Sequence, residues 1–223
     1  MSTRQFTLDF EHRPALGHDD FVVAGANRDA VAWIDRWPDW PAVGTVIVGP
    51  PGSGKTHLTS VWKSRSGAGL IGFEALETDP AIALLGEETA MVVEGLDHPV
   101  SKQAETELLH LFNVLAERQG SLLLTARTAP AQLPLSLADL ASRVRALPVI
   151  RMQQPDDALL GAVLRKLFAD QQLSVGQEVI RYLLRHGERS FAAARRNVGT
   201  LDRAALERKC EISVSLVRDI LDD

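Results

Sequence analysis

Short apolar runs alternate with amphipathic stretches over the first two-thirds of the chain. Each run is rich in aliphatic or β-branched residues, which is typical of buried strands; the runs are residues 43–48, 70–73, 90–93, 122–125 and 148–150. Between them, apolar side chains recur at helical spacing, most clearly over residues 101–119, which Gly120 ends. This alternation predicts an α/β fold in which helices cover both faces of a five-stranded parallel sheet.

The pattern changes near residue 153. Residues 156–222 contain no strand-like run, only helical stripes of apolar residues that are interrupted at "LSVGQ", "HGERS" and "CEIS". These interruptions predict an all-helical subdomain of three or four helices. We therefore divide the chain into a flexible N-terminal segment of residues 1–18, an α/β core of residues 19–153 and a helical lid of residues 154–223.

Composition narrows the possible classes of function. The 223 residues are 45% hydrophobic and 24% charged, as in an ordinary globular protein. The net charge of −5 argues against a broad electrostatic contact with nucleic acid, so we expect no strong direct DNA binding. The sequence has neither a membrane-spanning apolar run nor a secretory signal, and the single Cys210 cannot form an internal disulfide. We expect a cytoplasmic protein with no membrane partner.

The stretch "GPPGSGKT" matches the phosphate-loop pattern G-x-x-x-x-G-K-[ST] between the first core strand and a helix. Glycines allow backbone N–H groups to surround phosphates, while Lys55 neutralises their charge and Thr56 binds Mg²⁺. The alternative is a glycine-rich turn with an incidental lysine. The predicted cofactors are ATP or ADP with Mg²⁺. The predicted nucleotide-binding residues here are Gly49, Pro50, Pro51, Gly52, Ser53, Gly54, Lys55, Thr56 and His57.

The second half of such a site is an acid at the end of a neighbouring strand. Glu94 in "MVVEGLDH" (residues 91–98) occupies this place, and with Thr56 it forms the predicted magnesium site. The next residue, Gly95, cannot activate an attacking water, and Asp97, which could swing in, is poorly placed for that role two positions further on. Glu94 and Asp97 could instead be ordinary strand-end carboxylates. We expect nucleotide binding with weak intrinsic ATP hydrolysis at most.

Two further stretches carry candidate catalytic residues besides Lys55 and Glu94. "LLLTAR" places Thr125 at the end of another strand, from which it could sense the γ-phosphate or position water if that strand lies between the other two. "DLASRVRAL" places Arg143 and Arg145 near the end of a helix. From the pattern alone, a solvated helix end is the favoured interpretation of these arginines.

The order and spacing of these motifs, followed by a helical lid, resemble an AAA+ ATPase domain of the DnaA-like branch. "DDFVVAGANRDAVAWI" (residues 19–34) is similar to the DnaA segment that lines the adenine pocket, which implies nucleotide contacts at Val22 and Val23. "LTARTAPAQL" resembles the sensor-one segment. "LASRV" resembles the arginine-finger box, which implies that Arg143 acts in trans on a neighbouring molecule's nucleotide.

The lid stretch "ERSFAAARRNVGTLDRAAL" and the closing "ISVSLVRDIL" resemble Hda, a regulatory relative of DnaA. The lid arginine expected from this resemblance falls near Ala192, so Arg189 or Arg195 would take its role. The helix-turn-helix domain of DnaA has no counterpart in this sequence, which argues against the initiator itself.

The N-terminal "QFTLDF" (residues 5–10) resembles the Q-L-x-L-F peptide with which Hda proteins bind the sliding clamp of DNA polymerase. The residues implied in clamp binding are Gln5, Phe6, Leu8 and Phe10. Apolar side chains on a tail are otherwise a liability unless a partner's groove receives them. The alternative is an arm or edge strand that packs on its own domain.

The resemblance implies a regulator that stimulates hydrolysis of DnaA-bound ATP and so limits replication initiation. Its implied partners are the sliding clamp and DnaA, and homo-oligomers are possible. Two other classes of function remain open. One is a DnaA-like loader or adaptor that places a helicase or another partner on DNA. The other is a small-molecule kinase, which the lack of an acceptor-binding insert disfavours.

Overall fold

The computed structural model describes residues 12–13, 21–22 and 27–221. The strands in this part of the chain are β1 His12–Arg13, β2 Phe21–Val22, β3 Gly44–Val48, β4 Gly69–Gly72, β5 Ala90–Glu94, β6 Ser121–Ala126 and β7 Val149–Arg151. The helices are α1 Arg28–Asp35, α2 Lys55–Ser66, α3 Ala81–Leu85, α4 Lys102–Glu117, α5 Ala138–Ala146, α6 Asp157–Asp170, α7 Gln177–His186, α8 Phe191–Arg208 and α9 Val214–Leu221. Two 3-10 turns occupy Phe73–Glu77 and Pro130–Gln132.

Strands β3 to β7 form one parallel sheet in the order β4-β5-β6-β3-β7. Each of the five predicted strands is present, with bounds shifted by no more than one residue at either end. The α/β fold with a five-stranded parallel sheet is therefore confirmed. Thr125 was expected to lie near the phosphates only if its strand runs between the other two. Strand β6 does lie between β3 and β5. The carboxyl ends of these three strands consequently meet at one edge of the sheet.

The sheet is buried on both faces because successive side chains of a strand point to opposite sides. On one face, Val46 and Val48 pack with α3, α4 and α5. On the other, Ile47 packs with α1 and α2, where Trp62 is fully buried. The Trp40 ring stacks on Trp62 at a centroid distance of 5.3 Å, and Trp37 meets it edge-on at 6.0 Å. These tryptophans thus pack against α2 on this face of the sheet.

Helices α6 to α9 bury a separate apolar cluster formed by Leu160, Leu164, Phe168, Val179, Ile180, Leu183, Ala194, Val198, Leu201, Ala204, Ile212, Leu216 and Val217. The four helices begin and end at the interruptions seen in the sequence. Ser190 directly precedes helix α8, and its hydroxyl accepts the Ala193 N–H at 3.0 Å and so caps the helix. Each lid helix is stabilised by packing its apolar stripe against the others.

The two shortest strands, β1 and β2, lie at the N-terminal side of the described chain. His12 pairs with Val22 in an antiparallel register, and α6 of the lid lies against β2. The predicted clamp-binding residues lie outside the described residues, as does Val23; these clamp residues are Gln5, Phe6, Leu8 and Phe10. Among the helices of the described chain, none is long and apolar enough to cross a membrane.

Candidate functional site

The phosphate loop joins the end of β3 to the start of α2. Its first residue is held by the neighbouring strand, since the Gly49 N–H donates to the Ala126 carbonyl at 3.2 Å. Gly52 and Gly54 have φ of +75° and +92°, in the left-handed region that favours glycine. A Cβ at Gly52 would also overlap Ser190 of the lid. Glycine is therefore required both for the loop's course and for the close approach of the lid.

Lys55 points back into this loop. Its Nζ donates to the Gly49 carbonyl at 2.6 Å and to the Pro50 carbonyl at 3.0 Å. Burial lowers the pKa of the Lys55 ammonium from its ordinary value, while the carboxylates of Asp97 and Glu94 oppose this shift and Arg127 adds to it. The ammonium is thus partly dehydrated and held in place by loop carbonyls that an incoming phosphate oxygen could replace.

Three further features of the loop fit a polyphosphate. The Ser53 hydroxyl is buried and has no hydrogen-bond partner among the described residues. Gly54 is the N-cap of α2 and has no side chain with which to cap the first turn of that helix. Thr56 lies exposed in this turn beside His57. Uncapped helix N–H groups and a positive helix end favour an anionic ligand.

Glu94 ends β5 and points towards α2. Its Oε1 lies 3.0 Å from the Thr59 hydroxyl, which is also within 2.9 Å of the Thr56 carbonyl. The carboxylate of Glu94 is thus oriented by a buried residue on the same helix that carries Lys55 and Thr56. Our sequence reasoning missed Thr59, although its position one turn after Lys55 was a usable signal.

Gly95 has a structural reason to be glycine. Its φ is +80°, and a Cβ there would lie 3.0 Å from His98 Nδ1. Its N–H donates to the Thr125 carbonyl at 3.1 Å and lies 3.2 Å from the Thr125 hydroxyl. The chain therefore turns sharply at the end of β5 and binds β6. A carboxylate side chain at this position would strain the turn.

This turn places Asp97 differently from what its sequence position suggests. Asp97 Oδ1 accepts the Arg127 N–H at 2.7 Å, and its Oδ2 lies 3.2 Å from Arg127 Nε. Both residues act electrostatically on Lys55. Sequence reasoning treated Asp97 as too far along the chain and did not single out Arg127. The signal for Arg127 was its place directly after the Thr125 strand.

Thr125 is buried near the end of β6, between β3 and β5. Its hydroxyl oxygen is occupied as an acceptor for Gly95, and the hydroxyl retains its own proton to donate. Its carbonyl also accepts the Leu96 N–H at 2.9 Å. Thr125 therefore links the ends of β5 and β6 next to the phosphate loop.

The lid contributes residues that the sequence did not indicate. Besides Ser190 near Gly52, the Phe191 ring lies close enough to Gly54 that a Cβ there would be 3.0 Å from its Cε2. The predicted Arg189 is adjacent in the chain to Ser190, and its guanidinium is paired with Asp157 of α6. The start of α8 thus lies over the phosphate loop, while Arg189 is paired with α6.

Arg143 lies in the last turn of α5, as predicted. Its Nε is 3.2 Å from Asp139 Oδ1, its guanidinium carbon is 5.7 Å from the Phe112 ring centroid on α4, and 38% of its side chain is exposed. The start of α5 is fixed to α4 by buried Glu105, which accepts the Ser136 N–H at 2.8 Å and the Leu137 N–H at 2.5 Å. Arg143 is therefore presented from a braced helix.

No group of three or more potential metal-ligating His, Cys, Asp or Glu side chains occurs in the part of the chain that the structure describes. The magnesium site predicted from Thr56 and Glu94 therefore depends on a nucleotide for further ligands. This is usual for Mg²⁺, which keeps several waters and binds phosphates with one or two protein groups.

Solved structures share this architecture. Domain III of the Thermotoga maritima replication initiation protein DnaA superimposes with a TM-score of 0.77 at 19% identity, covering 91% of this chain and 94% of that one. AMPPCP-bound DnaA from Aquifex aeolicus gives a TM-score of 0.68 at 19% identity, covering 85% and 66%. The AAA domain of FIGL-1 in complex with ADP gives 0.60 at 17% identity, covering 82% and 72%. The fold is that of an AAA+ domain.

Sequence similarity points the same way. The chain is 26% identical over 201 residues to the chromosomal replication initiator protein DnaA of Magnetococcus marinus (strain ATCC BAA-1437 / JCM 17883 / MC-1). The chain is thus similar to DnaA in sequence and to AAA+ domains in fold. The match covers 76% of the chain but only 43% of that DnaA. No protein-family model matches the sequence.

Proposed function

We propose that this DnaA-related protein binds ATP or ADP with Mg²⁺ at its phosphate loop. The support is the pair of left-handed glycines, the partly dehydrated Lys55 and the unpartnered Ser53 hydroxyl. Bound Mg²⁺ neutralises phosphate charge. Thr56 and Glu94 are the residues that would hold it. A DnaA of the same fold is known with AMPPCP bound, which supports this assignment.

We further propose that the protein hydrolyses its own nucleotide slowly and acts on a partner. The turn at Gly95 leaves no carboxylate next to Glu94, and Asp97 is occupied by Arg127. The site therefore has no acid beside Glu94 to activate water, and Asp97 is held by Arg127 instead. Nucleotide here serves to stabilise a conformation that a partner recognises.

The partner is DnaA, and Arg143 supplies the action. The observation that carries this proposal is the presentation of Arg143, half-exposed at the end of a helix that Glu105 fixes to the core. Its ion pair is with Asp139 of the same helix, and its guanidinium lies over the Phe112 ring of α4. An arginine supplied in trans stabilises charge that develops on the transferred phosphoryl group and raises the rate by about 10³–10⁵.

Tethering to the sliding clamp completes the proposal. The N-terminal Gln5, Phe6, Leu8 and Phe10 would bind a groove on the DNA-loaded clamp, so that the regulator meets DnaA only after replication has started. A tether raises the effective concentration of a weak contact without any new interaction. This arrangement would limit replication initiation.

The deciding experiment measures hydrolysis of labelled ATP bound to DnaA, with clamp loaded on DNA. We expect Arg143→Ala to lose about 10³-fold or more of the stimulation, while Arg145→Ala retains it. Arg145 is the matched control because it lies in the same last turn of α5. Equal losses from both variants would indicate a diffuse basic contact, and no loss from either would contradict the regulatory role.

A second arm tests the tether. Replacing Gln5, Leu8 and Phe10 together with alanine should abolish clamp binding in a pulldown and leave the melting temperature unchanged. A variant that still binds the clamp, or that melts early, would support an arm packed on its own domain instead. Capture of replicative helicase in place of the clamp would favour the loader alternative.

A further inference from the structure

Helix α7 presents two arginines on its solvent-exposed side. Arg181 and Arg185 lie one helical turn apart, and both side chains are exposed. The exposed Arg165 of α6 joins them beside Leu184. A Cβ at Gly161 would lie 3.6 Å from Arg165 Nη1 and 3.3 Å from Leu184 Cδ1. Three guanidinium groups are therefore gathered where α6 meets α7.

A fourth arginine approaches the same helix from α9. The Tyr182 and His186 rings stack at a centroid distance of 4.2 Å, and the guanidinium carbon of Arg218 lies 6.0 Å from the Tyr182 centroid. The Tyr182 ring is thus used inside the lid to place Arg218. We refer to the four arginines as the arginine band; its members are Arg165, Arg181, Arg185 and Arg218.

No acid in the described part of the chain forms an ion pair with the arginine band. Glu178 lies three positions before Arg181 but folds back towards the start of α7, where a Cβ at Gly176 would overlap its carboxylate. Like charges at i and i+4 destabilise a helix, so folding alone gives no reason for the arginine pair on α7. Four other lid acids are paired with cations outside the band: Asp157 with Arg189, Asp170 with Lys166, Glu188 with Arg196 and Asp219 with Arg208.

We propose that the arginine band binds the phosphate backbone of double-stranded DNA. A guanidinium binds phosphate through parallel N–H groups and stays charged at every physiological pH. Binding of a single strand normally uses an aromatic ring on which unstacked bases lie. The Tyr182 ring already contacts His186 and Arg218, so it is not offered to bases. The arrangement therefore favours contacts to a duplex backbone, which carry no base information.

The expected contact is local and weak. The net charge of −5 repels DNA as a whole, and contacts of this kind give the affinity of non-specific binding, with Kd about 10⁻⁴–10⁻⁶ M at physiological salt. Such a contact becomes effective when the protein is already held beside DNA, and it would then orient the lid on the duplex. The inference uses neither the nucleotide site nor Arg143, so its failure would leave the proposed function untouched.

The test is binding of the whole protein to a short labelled DNA duplex, followed by fluorescence anisotropy without nucleotide or protein partners. We expect log K to fall with log salt with a slope of about −3 to −4, the value for four phosphate contacts. Replacing both Arg181 and Arg185 with glutamine should reduce the slope to about −2 and weaken binding at least about tenfold at about 50 mM salt. Arg165→Gln alone should change the slope by about one.

The matched control is the double variant Arg196→Gln with Arg208→Gln. It removes the same charge from the lid, but each of these arginines is paired with a carboxylate. Duplex affinity should therefore stay within about twofold of that of the unaltered protein.

Equal losses in the two double variants would mean that only total charge matters, and absence of duplex binding by the unaltered protein at low salt would overturn the inference. A base-dependent preference for a single strand would contradict a backbone contact. If the α7 variant kept its duplex affinity but lost a protein partner, the occupant would be an acidic protein surface instead. Melting temperatures should agree among the variants; if the α7 variant melts early, the slope measured for Arg165→Gln decides.

Discussion

The phosphate loop and the end of α5 both present a cation, but they are built in opposite ways. Lys55 is enclosed by the carbonyls of its own loop, and the start of α8 lies against Gly52 and Gly54 of that loop. Arg143 is half-exposed and held by a single carboxylate and one aromatic face. The first arrangement is suited to enclose a ligand of this molecule, and the second to offer a charge to another molecule.

The difference in burial determines how each site responds to change. In an enclosed site, a lost partner leaves dehydrated groups unpaired, which is costly. An exposed ion pair such as Arg143 with Asp139 contributes little to stability, so its loss leaves the fold intact. Nucleotide affinity and action on a partner should therefore be separable by mutation.

The largest effect that would sharpen this comparison is on nucleotide affinity. Lys55→Ala removes the ammonium that is positioned for phosphate, and we expect about 100-fold weaker ADP binding. Lys63→Ala is the control, because Lys63 is exposed in the last turn of the same helix. Isothermal titration of both variants measures the effect. An equally large loss in Arg143→Ala would mean that the two regions are not independent.

A smaller effect concerns how α5 is braced. Glu105→Gln replaces a carboxylate that accepts three hydrogen bonds, including one from the Ser136 hydroxyl at 3.0 Å. An amide has one acceptor oxygen, so a buried donor stays unpaired and the free energy of unfolding should fall by about 1–3 kcal/mol. Urea denaturation measures this change.

The same variant should also weaken stimulation of DnaA through Arg143. Asp139→Asn serves as its counterpart: we expect reduced stimulation with unchanged stability, because the Asp139 contact is exposed. If Glu105→Gln left stability untouched, the brace would be redundant. The contrast between an internal support and a surface contact would then be lost.

The smallest expected effect is a pH dependence of ADP binding. Burial lowers the pKa of Lys55 in the free protein, and bound phosphate would raise it again, so binding takes up a proton. Affinity should then fall as pH rises through the lowered pKa, by at most about tenfold per pH unit. Measurements above about pH 8, where the phosphates are fully ionised, isolate this effect. Lys55→Arg should shift the fall out of the accessible range.

The sequence alone determined the sheet, the lid helices and the phosphate loop. These features depend on local patterns: an apolar run of four to six residues, a helical stripe, or glycines and a lysine at set spacing. Each of the five strand predictions lies within one residue of the observed bounds, and Thr125 and Arg143 occupy the elements predicted for them. The order of strands, loop and helices could be predicted because each of these elements depends on residues that are neighbours in the chain.

Tertiary structure decided which side chains surround that loop. Thr59 meets Glu94 across 35 positions of sequence and Asp97 meets Arg127 across 30. The strand order and the sharp turn at Gly95 bring these residues together. Neither feature produces a periodic pattern that could be recognised in the sequence. Counting residues from Glu94 made Asp97 look too distant, because a left-handed glycine folds the chain back onto β6. Proximity at the edge of a parallel sheet depends on which strands are neighbours, and that is set by packing of the whole core.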